Sequence, residues 1–525
     1  MPGALHWWQE GVIYQVLVPS FLDSNGDGIG DLSGLSERLD YLQWLGARAI
    51  WLSPIYPSPF ADLGYDVMDY CHIAPQYGSL NDFDKLLADV HRRDMKLILD
   101  WVPNHTSDEH PWFIDSRSNR ESAKRDWYLW HDANADGSPP NNWISVFGGS
   151  VWQWDPNTDQ YYLHTFHEKQ PDLNWRNSDV QAAMFDTMRF WLNRGVDGFR
   201  IDALDLLLKD EQFRNNPSNP EYQEGQGPDT QLLPYYTRDQ QGVHEIIATM
   251  RRVAEEFGDD RLLAGELYLS VEKVMAYYGG EAPELHLPLN MQFSWTPWNA
   301  EEIGSSLKTY LHHVPSNGWP SWLLSTHDCL RLAMRCPGDQ MRVAAMLLFT
   351  LPGTPVHYFG EEIGMRGVPI PADQAIDPQG RRVGRNRDPE RTPMQWNTEQ
   401  HAGFSVHEPW LPIAEDFHTA NVAVQSANPR SLLNLYRKLF TFQRETILGQ
   451  LELVTIQGPL LVYRRMHERE DCLILLNFSN EPQCLDHDAS FHASVRLSTF
   501  LDREDEHMQA SIHLRGNEGL IVFRQ

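Results

Sequence analysis

The stretch Asp197-Gly-Phe-Arg-Ile-Asp-Ala203 (DGFRIDA) carries the reading of the fold. Side chains alternate along a strand, so Phe199 and Ile201 share one face while Arg200 and Asp202 share the other. The apolar pair suits packing against a layer of helices. The charged pair then points into the mouth of a barrel, where function gathers at the C-terminal ends of the strands. A guanidinium at this spacing is expected to keep Asp202 ionised at neutral pH.

Outward from this stretch, short apolar runs alternate with longer amphipathic ones, the pattern of βα units on a parallel sheet. The candidate strands are Val12–Val18, Ala49–Ser53, Lys96–Val102, Asp197–Asp202, Arg261–Glu266, His286–Asn290, Leu323–His327 and Thr354–Phe359. Helical stretches Asp82–Arg93, Val180–Arg194 and Gly242–Phe257 precede the third, fourth and fifth. The order predicts an α/β chain, a (β/α)8 TIM barrel built from residues 1–104 and 171–445. Residues 105–170 are rich in Trp, Asn, Gly and Pro (DANADGSPPNNW) and predict a lobe inserted after the third strand, over the C-terminal face. Pro369–Asn421 is a second excursion, and Leu432–Glu445 a closing helix. Residues 446–525 hold short alternating runs (LLVYRRM, CLILLNF, GLIVFR) and predict a C-terminal antiparallel β-sandwich domain.

Composition narrows the function. Lys plus Arg total 43 against 72 Asp plus Glu, a net charge of −29, which argues against a nucleic-acid partner. No apolar run is long enough to span a membrane. The opening MPGALHWWQEGVIYQV lacks the basic and apolar regions of a secretory signal. Cys71, Cys329, Cys336, Cys472 and Cys484 are too scattered for a disulfide framework or a zinc site. The expectation is a cytoplasmic protein, monomeric or homodimeric, acting on a small molecule.

Carboxylates collect where the strands end. The fifth strand, LLAGEL, ends in Glu266 among apolar neighbours with no basic residue close in sequence, which favours a raised pKa and a general acid. The seventh ends in STHDC, delivering His327 and Asp328, and His105 follows the third. Adjacent residues cannot both face the pore on a regular strand, so the chain must leave the barrel at His327. Taken singly, each of these also reads as structure: an ion pair, a strand-terminal Glu reaching water, a core histidine. Together, three carboxylates with Arg200 and two histidines suit glycosidic bond cleavage, which needs one ionised and one protonated carboxyl about the bond.

The motifs DWVPNH, GFRIDA, AGEL and STHD resemble the conserved regions of the α-amylase superfamily, glycoside hydrolase family 13. QPDLNW (Gln170–Trp175), WWQEGVIYQVLVPSFLDSNGDGIGDLSG, GYDVMDY and ERTPMQW resemble its oligo-1,6-glucosidase and α-glucosidase branch. The resemblance implies Asp202 as nucleophile, Glu266 as general acid/base and Asp328 as transition-state stabiliser. It implies that His105, Arg200 and His327 bind the glucosyl unit and that Asp62 and Arg391 grip its non-reducing end, making the enzyme exo-acting. Tyr65 would lie under that sugar, and Phe147 and Phe166 would line the entrance. Ala203 follows the nucleophile where the branch's α-1,6 members carry Val, which points to α-1,4 linkages. The pattern departs at two places, Thr326 for the usual Asn and Cys329 for the usual Gln, both beside Asp328. The implied activity is a retaining α-glucosidase with transglucosylation. Alternatives are an isomaltase-type α-1,6-glucosidase, a glucosyltransferase using sucrose or phosphate, a catalytically silent transporter subunit, or a sugar-binding module.

One loop reads as a cation site. Asp23, Asn25, Asp27 and Asp31 place oxygens at positions 1, 3, 5 and 9 of an EF-hand-type loop, and Ile29 offers its carbonyl. Gly28 takes the sharp turn at position 6. The expected ion is Ca²⁺, or Mg²⁺, in a structural role, with no organic cofactor. A tight Asp/Gly turn is the alternative.

Overall fold

The computed structural model describes residues 5–445, 450–467, 470–486 and 491–524. The first four residues of the opening stretch and residues 446–449, at the expected start of the last domain, lie outside them. Eight parallel strands form the barrel: β1 (Val12–Val16), β2 (Ala47–Leu52), β3 (Lys96–Trp101), β7 (Gly198–Ile201), β8 (Leu262–Leu267), β9 (Leu287–Asn290), β10 (Ser321–Leu323) and β11 (Thr354–Tyr358). They run in the order β10-β11-β1-β2-β3-β7-β8-β9.

The seam between β9 and β10 has no backbone ladder. Pro288 in β9 lacks an N–H and cannot donate across this seam. The Ser321 hydroxyl closes the gap, donating to the Pro288 carbonyl at 2.9 Å and accepting from the Asn290 N–H at 3.2 Å.

β7 shows why the sequence period is two. Phe199 and Ile201 are fully buried in the helix-facing core with Trp101 and Trp191, while Ile13, Trp51, Ile98, Ala264 and Leu289 pack inside the barrel. The helix Ser178–Arg194 feeds β7 and starts at Asn177, whose side chain accepts from the Asp179 N–H. At Gly198 a Cβ would lie 2.4 Å from the Leu262 carbonyl, so only glycine lets β7 approach β8 this closely.

Three short strands, β4 (Trp130–His131), β5 (Trp152–Asp155) and β6 (Gln160–Leu163), form a separate sheet after β3. It has its own small core of Trp143, Val151, Trp152 and Leu163. The C-terminal strands β12 (Gln450–Gln457), β13 (Leu460–His467), β14 (Glu470–Asn477), β16 (His492–Ser498), β17 (His507–Gln509) and β19 (Gly519–Arg524) form an antiparallel six-stranded sheet. β15 (Gln483–Asp486) and β18 (Ser511–Leu514) make a two-stranded flap. Alternate residues divide the sheet: Leu461, Tyr463, Ile474 and Leu476 join the barrel core, while Leu460, Val462, Leu473 and Leu475 build a second one.

Candidate active site

Parallel register assembles the centre of the site. Asp100 of β3 lies opposite Arg200 of β7, and Arg200 lies opposite Ala264, two residues before Glu266 on β8. Arg200 is 2% exposed, with its guanidinium 5.2 Å from the Trp51 ring centroid. Nη1 donates to Asp100 Oδ1 at 2.7 Å and to Asp202 Oδ1 at 2.6 Å, and Nη2 lies 2.6 Å from Glu266 Oε1. Glu266 therefore does have a cation against it, contrary to its sequence neighbourhood, because the cation comes from the adjacent strand. Its other oxygen accepts from the Ala203 N–H at 3.1 Å. Ala203 takes a left-handed backbone (φ +47°), rare for a residue with a side chain, and this turn accompanies the bond to Glu266.

One guanidinium serves three buried carboxyls. Burial pushes Asp100 up to about 6, with Arg200 opposing. Burial likewise raises Asp202 well above the usual carboxylate range, Arg200 opposes, and Glu266 and Asp100 add to the rise. The Arg200 charge expected to hold Asp202 ionised is thus shared with Asp100 and Glu266, and burial acts against it. Asp100 and Asp202 thus ionise at higher pH than free carboxylic acids do.

Asp328 is the opposite case. The strand β10 has ended at Leu323, so the chain is already leaving the barrel at His327 and Asp328. Burial resists ionisation of Asp328, but His327, Arg387, Arg391 and Arg200 outweigh it and hold the carboxylate far below its ordinary range. Arg387 Nη1 and Arg391 Nη2 donate to Oδ1 at 3.0 and 2.9 Å. His327 Nε2 is 3.2 Å from Oδ2. Burial lowers His327 to about 3, so the ring is neutral. With Gln15 Nε2 donating to its Nδ1 at 2.8 Å, the ring proton sits on Nε2, facing Asp328 and the Tyr65 hydroxyl. The Thr326 hydroxyl accepts from the Asp328 N–H at 3.2 Å, and Cys329 is buried against Ser294.

A third group lies where the inserted lobe meets the barrel. Tyr65 donates to Asp100 Oδ2 at 2.9 Å. His105 Nε2 approaches the Tyr65 carbonyl and Gln170 Nε2, and Gln170 Nε2 also donates to Asp62 Oδ2 at 3.1 Å. Phe166 packs edge-on against His105 and against Phe147. The partner of Asp62 corrects the sequence reading. Arg387, not Arg391, bonds Asp62 Oδ1 at 2.8 Å, while also bonding Asp377 at 2.7 Å and lying over the Phe147 ring. Arg391 is 1% exposed and turns its bonds to Asp328 and the His327 carbonyl.

Sequence reasoning missed Asp100, Gln170, Asp377 and Arg387. Asp100 carried a usable signal, the one carboxylate in the strand KLILDW, on the parity of Ile98. Nothing local distinguished Arg387 from its neighbours.

The loop expected to bind a cation folds as nested turns. Asp23 Oδ1 accepts from the Asn25 and Gly26 N–H groups, and Oδ2 from the Gly28 N–H and the Ser405 hydroxyl. Its lone pairs are thereby spent. Asn25 Oδ1 accepts from the Asp27 N–H and Asp27 Oδ1 from the Ile29 N–H. Asp31 caps the helix Leu32–Glu37 and accepts from Ser24. Among the described residues no three His, Cys, Asp or Glu side chains are grouped to hold a metal ion. The loop's own amides and the Ser405 hydroxyl thus saturate Asp23, while Asn25 Oδ1 and Asp27 Oδ1 each accept a single amide.

Residues 15–450 match the family model of the alpha amylase catalytic domain. The chain is 39% identical over 507 residues to a probable alpha-glucosidase of Rhizobium meliloti (strain 1021), covering 90% of each. It is 37% identical over 548 residues to the amino acid transporter heavy chain SLC3A1 of Rattus norvegicus, covering 99% of this chain and 79% of that one. The crystal structure of the alpha-glucosyl transfer enzyme XgtA superposes with a TM-score of 0.93 at 35% identity, covering 99% of this chain and 100% of that one.

Proposed function

The chain belongs to the alpha-amylase family, and from that premise we propose a retaining, exo-acting α-glucosidase that also transfers glucose to alcohols. The observation that carries the reading is the single Arg200 guanidinium bonded to both Asp202 and Glu266. It sets the two carboxyls on one cleft, as a displacement at a single carbon requires.

Asp202, as carboxylate, attacks the anomeric carbon. The bond to the leaving oxygen breaks with its electron pair, and that oxygen takes the proton of Glu266. Glu266, now ionised, takes a proton from water as the water oxygen attacks the same carbon, and the Asp202 ester bond breaks back to the carboxylate. Asp328, strongly ionised, faces the positive charge that develops on the ring. The Asp62–Arg387 bond with Gln170 and His105 blocks one end of the pocket, which supports release of one glucose at a time. Ala203 supports α-1,4 over α-1,6 linkages. The five free cysteines support a reducing, cytoplasmic setting. The reading divides the chain into a barrel (1–104 and 171–445), an inserted lobe (105–170) and a C-terminal β domain (446–525), acting on a short α-glucoside as monomer or homodimer.

The test is hydrolysis of maltose followed by NMR. α-Glucose should appear first, and Asp202→Asn should lower kcat roughly a thousandfold or more. β-Glucose as first product overturns the mechanism. An Asp202→Asn variant as active as the parent would favour a sugar-binding scaffold, the reading suggested by the transporter relative.

A further inference from the structure

Beyond the barrel ends that carry Glu266 and Asp328, three segments expose apolar side chains together. Tyr268 follows β8 and is 39% exposed, Trp295 follows β9 at 56%, and Leu330 and Met334 follow β10 at 49% and 50%. Hydrogen bonds stitch the segments side by side. Gln292 Nε2 donates to the Leu269 carbonyl, Ser294 Oγ lies 3.4 Å from Cys329 Sγ, and Arg335 Nη2 donates to the Thr296 carbonyl at 2.9 Å. Each exposed apolar residue adjoins one of these bonded residues.

Within Cys329–Met334 the chain buries Cys329, Leu332 and Ala333 but departs from the usual distribution at three positions. Leu330 and Met334 face solvent while Arg331 is fully buried. Tyr268 ties the patch to the catalytic groups. Burial, then Glu266, Cys329 and Asp328, raise its phenol well above the ordinary value, which sets it within electrostatic reach of both catalytic carboxyls.

Resting on the glucosidase reading, we infer that Tyr268, Trp295, Leu330 and Met334 form the acceptor platform of the site, selecting an aryl or alkyl alcohol over a polyol. Glu266 protonates the leaving oxygen, so leaving groups and acceptors occupy its side, two residues from Tyr268. The acceptor hydroxyl oxygen attacks the anomeric carbon of the glucosyl–Asp202 ester. The ester bond breaks back to the Asp202 carboxylate, and the acceptor proton passes to Glu266. An apolar alcohol buries its hydrocarbon on this patch, whereas a polyol gains nothing there.

The experiment supplies p-nitrophenyl α-glucoside as donor with benzyl alcohol and glycerol competing at equal concentration, and reads the ratio of benzyl glucoside to glyceryl glucoside. Both products leave one common glucosyl-enzyme, so the ratio does not depend on the fraction of protein folded. The wild type should favour benzyl alcohol, and Trp295→Ser and the double variant Leu330→Gln/Met334→Gln should each lower the ratio about fivefold or more. A wild type that prefers glycerol, or variants with an unchanged ratio, would overturn the inference. So would variants that alter only the oligomeric state, which would mark the patch as a contact between copies. A wild type that releases neither p-nitrophenol nor glucose overturns the glucosidase reading instead.

Discussion

Arg387 Nη2 lies 2.8 Å from Asp62 Oδ1, joining the chain beyond β2 to the excursion beyond β11 across the mouth of the barrel. Arg391, four residues on, spends its bonds on Asp328 and the His327 carbonyl. The two arginines should therefore separate in a double-mutant cycle on kcat/KM for maltose. Asp62→Ala with Arg387→Ala should show a coupling of about 2 kcal/mol, and Asp62→Ala with Arg391→Ala less than about 0.5 kcal/mol. Equal couplings would mean that both arginines grip the sugar.

The crowding of carboxyls around Arg200 predicts the acid limb of the pH profile. Asp202 must be ionised to attack, and burial with Glu266 and Asp100 raises the pH at which it ionises. Asp100→Asn removes one negative neighbour and frees part of the guanidinium. Both effects favour ionised Asp202, so the acid limb of kcat/KM should move down by about half a pH unit or more. An upward move would show that Asp100 positions Arg200 rather than competing for it.

Where the chemistry depended on strand parity, it was legible. DGFRIDA places Arg200 and Asp202 inside because Phe199 and Ile201 must go outside, and the eight strands follow from the same alternation. What depended on register or loop path was not. The cation beside Glu266 comes from a neighbouring strand, and the partner of Asp62 depends on how the Pro369–Asn421 excursion lies over the barrel. Sequence spacing could not decide the Asp23–Asp31 loop either, since oxygens at alternate positions suit nested turns as well as a cation.

That loop makes its own prediction. Asp23 accepts four hydrogen bonds, and Gly28 beside it has φ +88° with a Cβ position only 2.3 Å from the Glu408 carbonyl, so the turn has no alternative path. Asp23→Ala should cost about 3 kcal/mol in urea unfolding. The loss should be the same in calcium and in EDTA. A loss that shrinks in EDTA, with the parent stabilised by calcium, would show that the loop takes up an ion after all.

Behind Asp328 lies a second buried set of charges. Arg331 is fully buried with Nε and Nη2 lacking hydrogen-bond partners, as do Glu361 Oε1 and Glu390 Oε2. Burial, opposed by Arg331, pushes Glu390 from 4.5 up to about 7. A carboxyl raised on folding binds more protons in the folded state across that window, so stability falls as pH climbs from about 4.5 to about 7. The penalty is absent below the window and complete above it, at most about 3 kcal/mol. Glu390→Gln keeps the shape and removes the charge. Its Tm should exceed that of the parent at pH 8 and match or fall below it at pH 5, by scanning calorimetry. Equal destabilisation at both pH values would mean that Arg331 compensates the ionised carboxylate fully, leaving desolvation with no net cost.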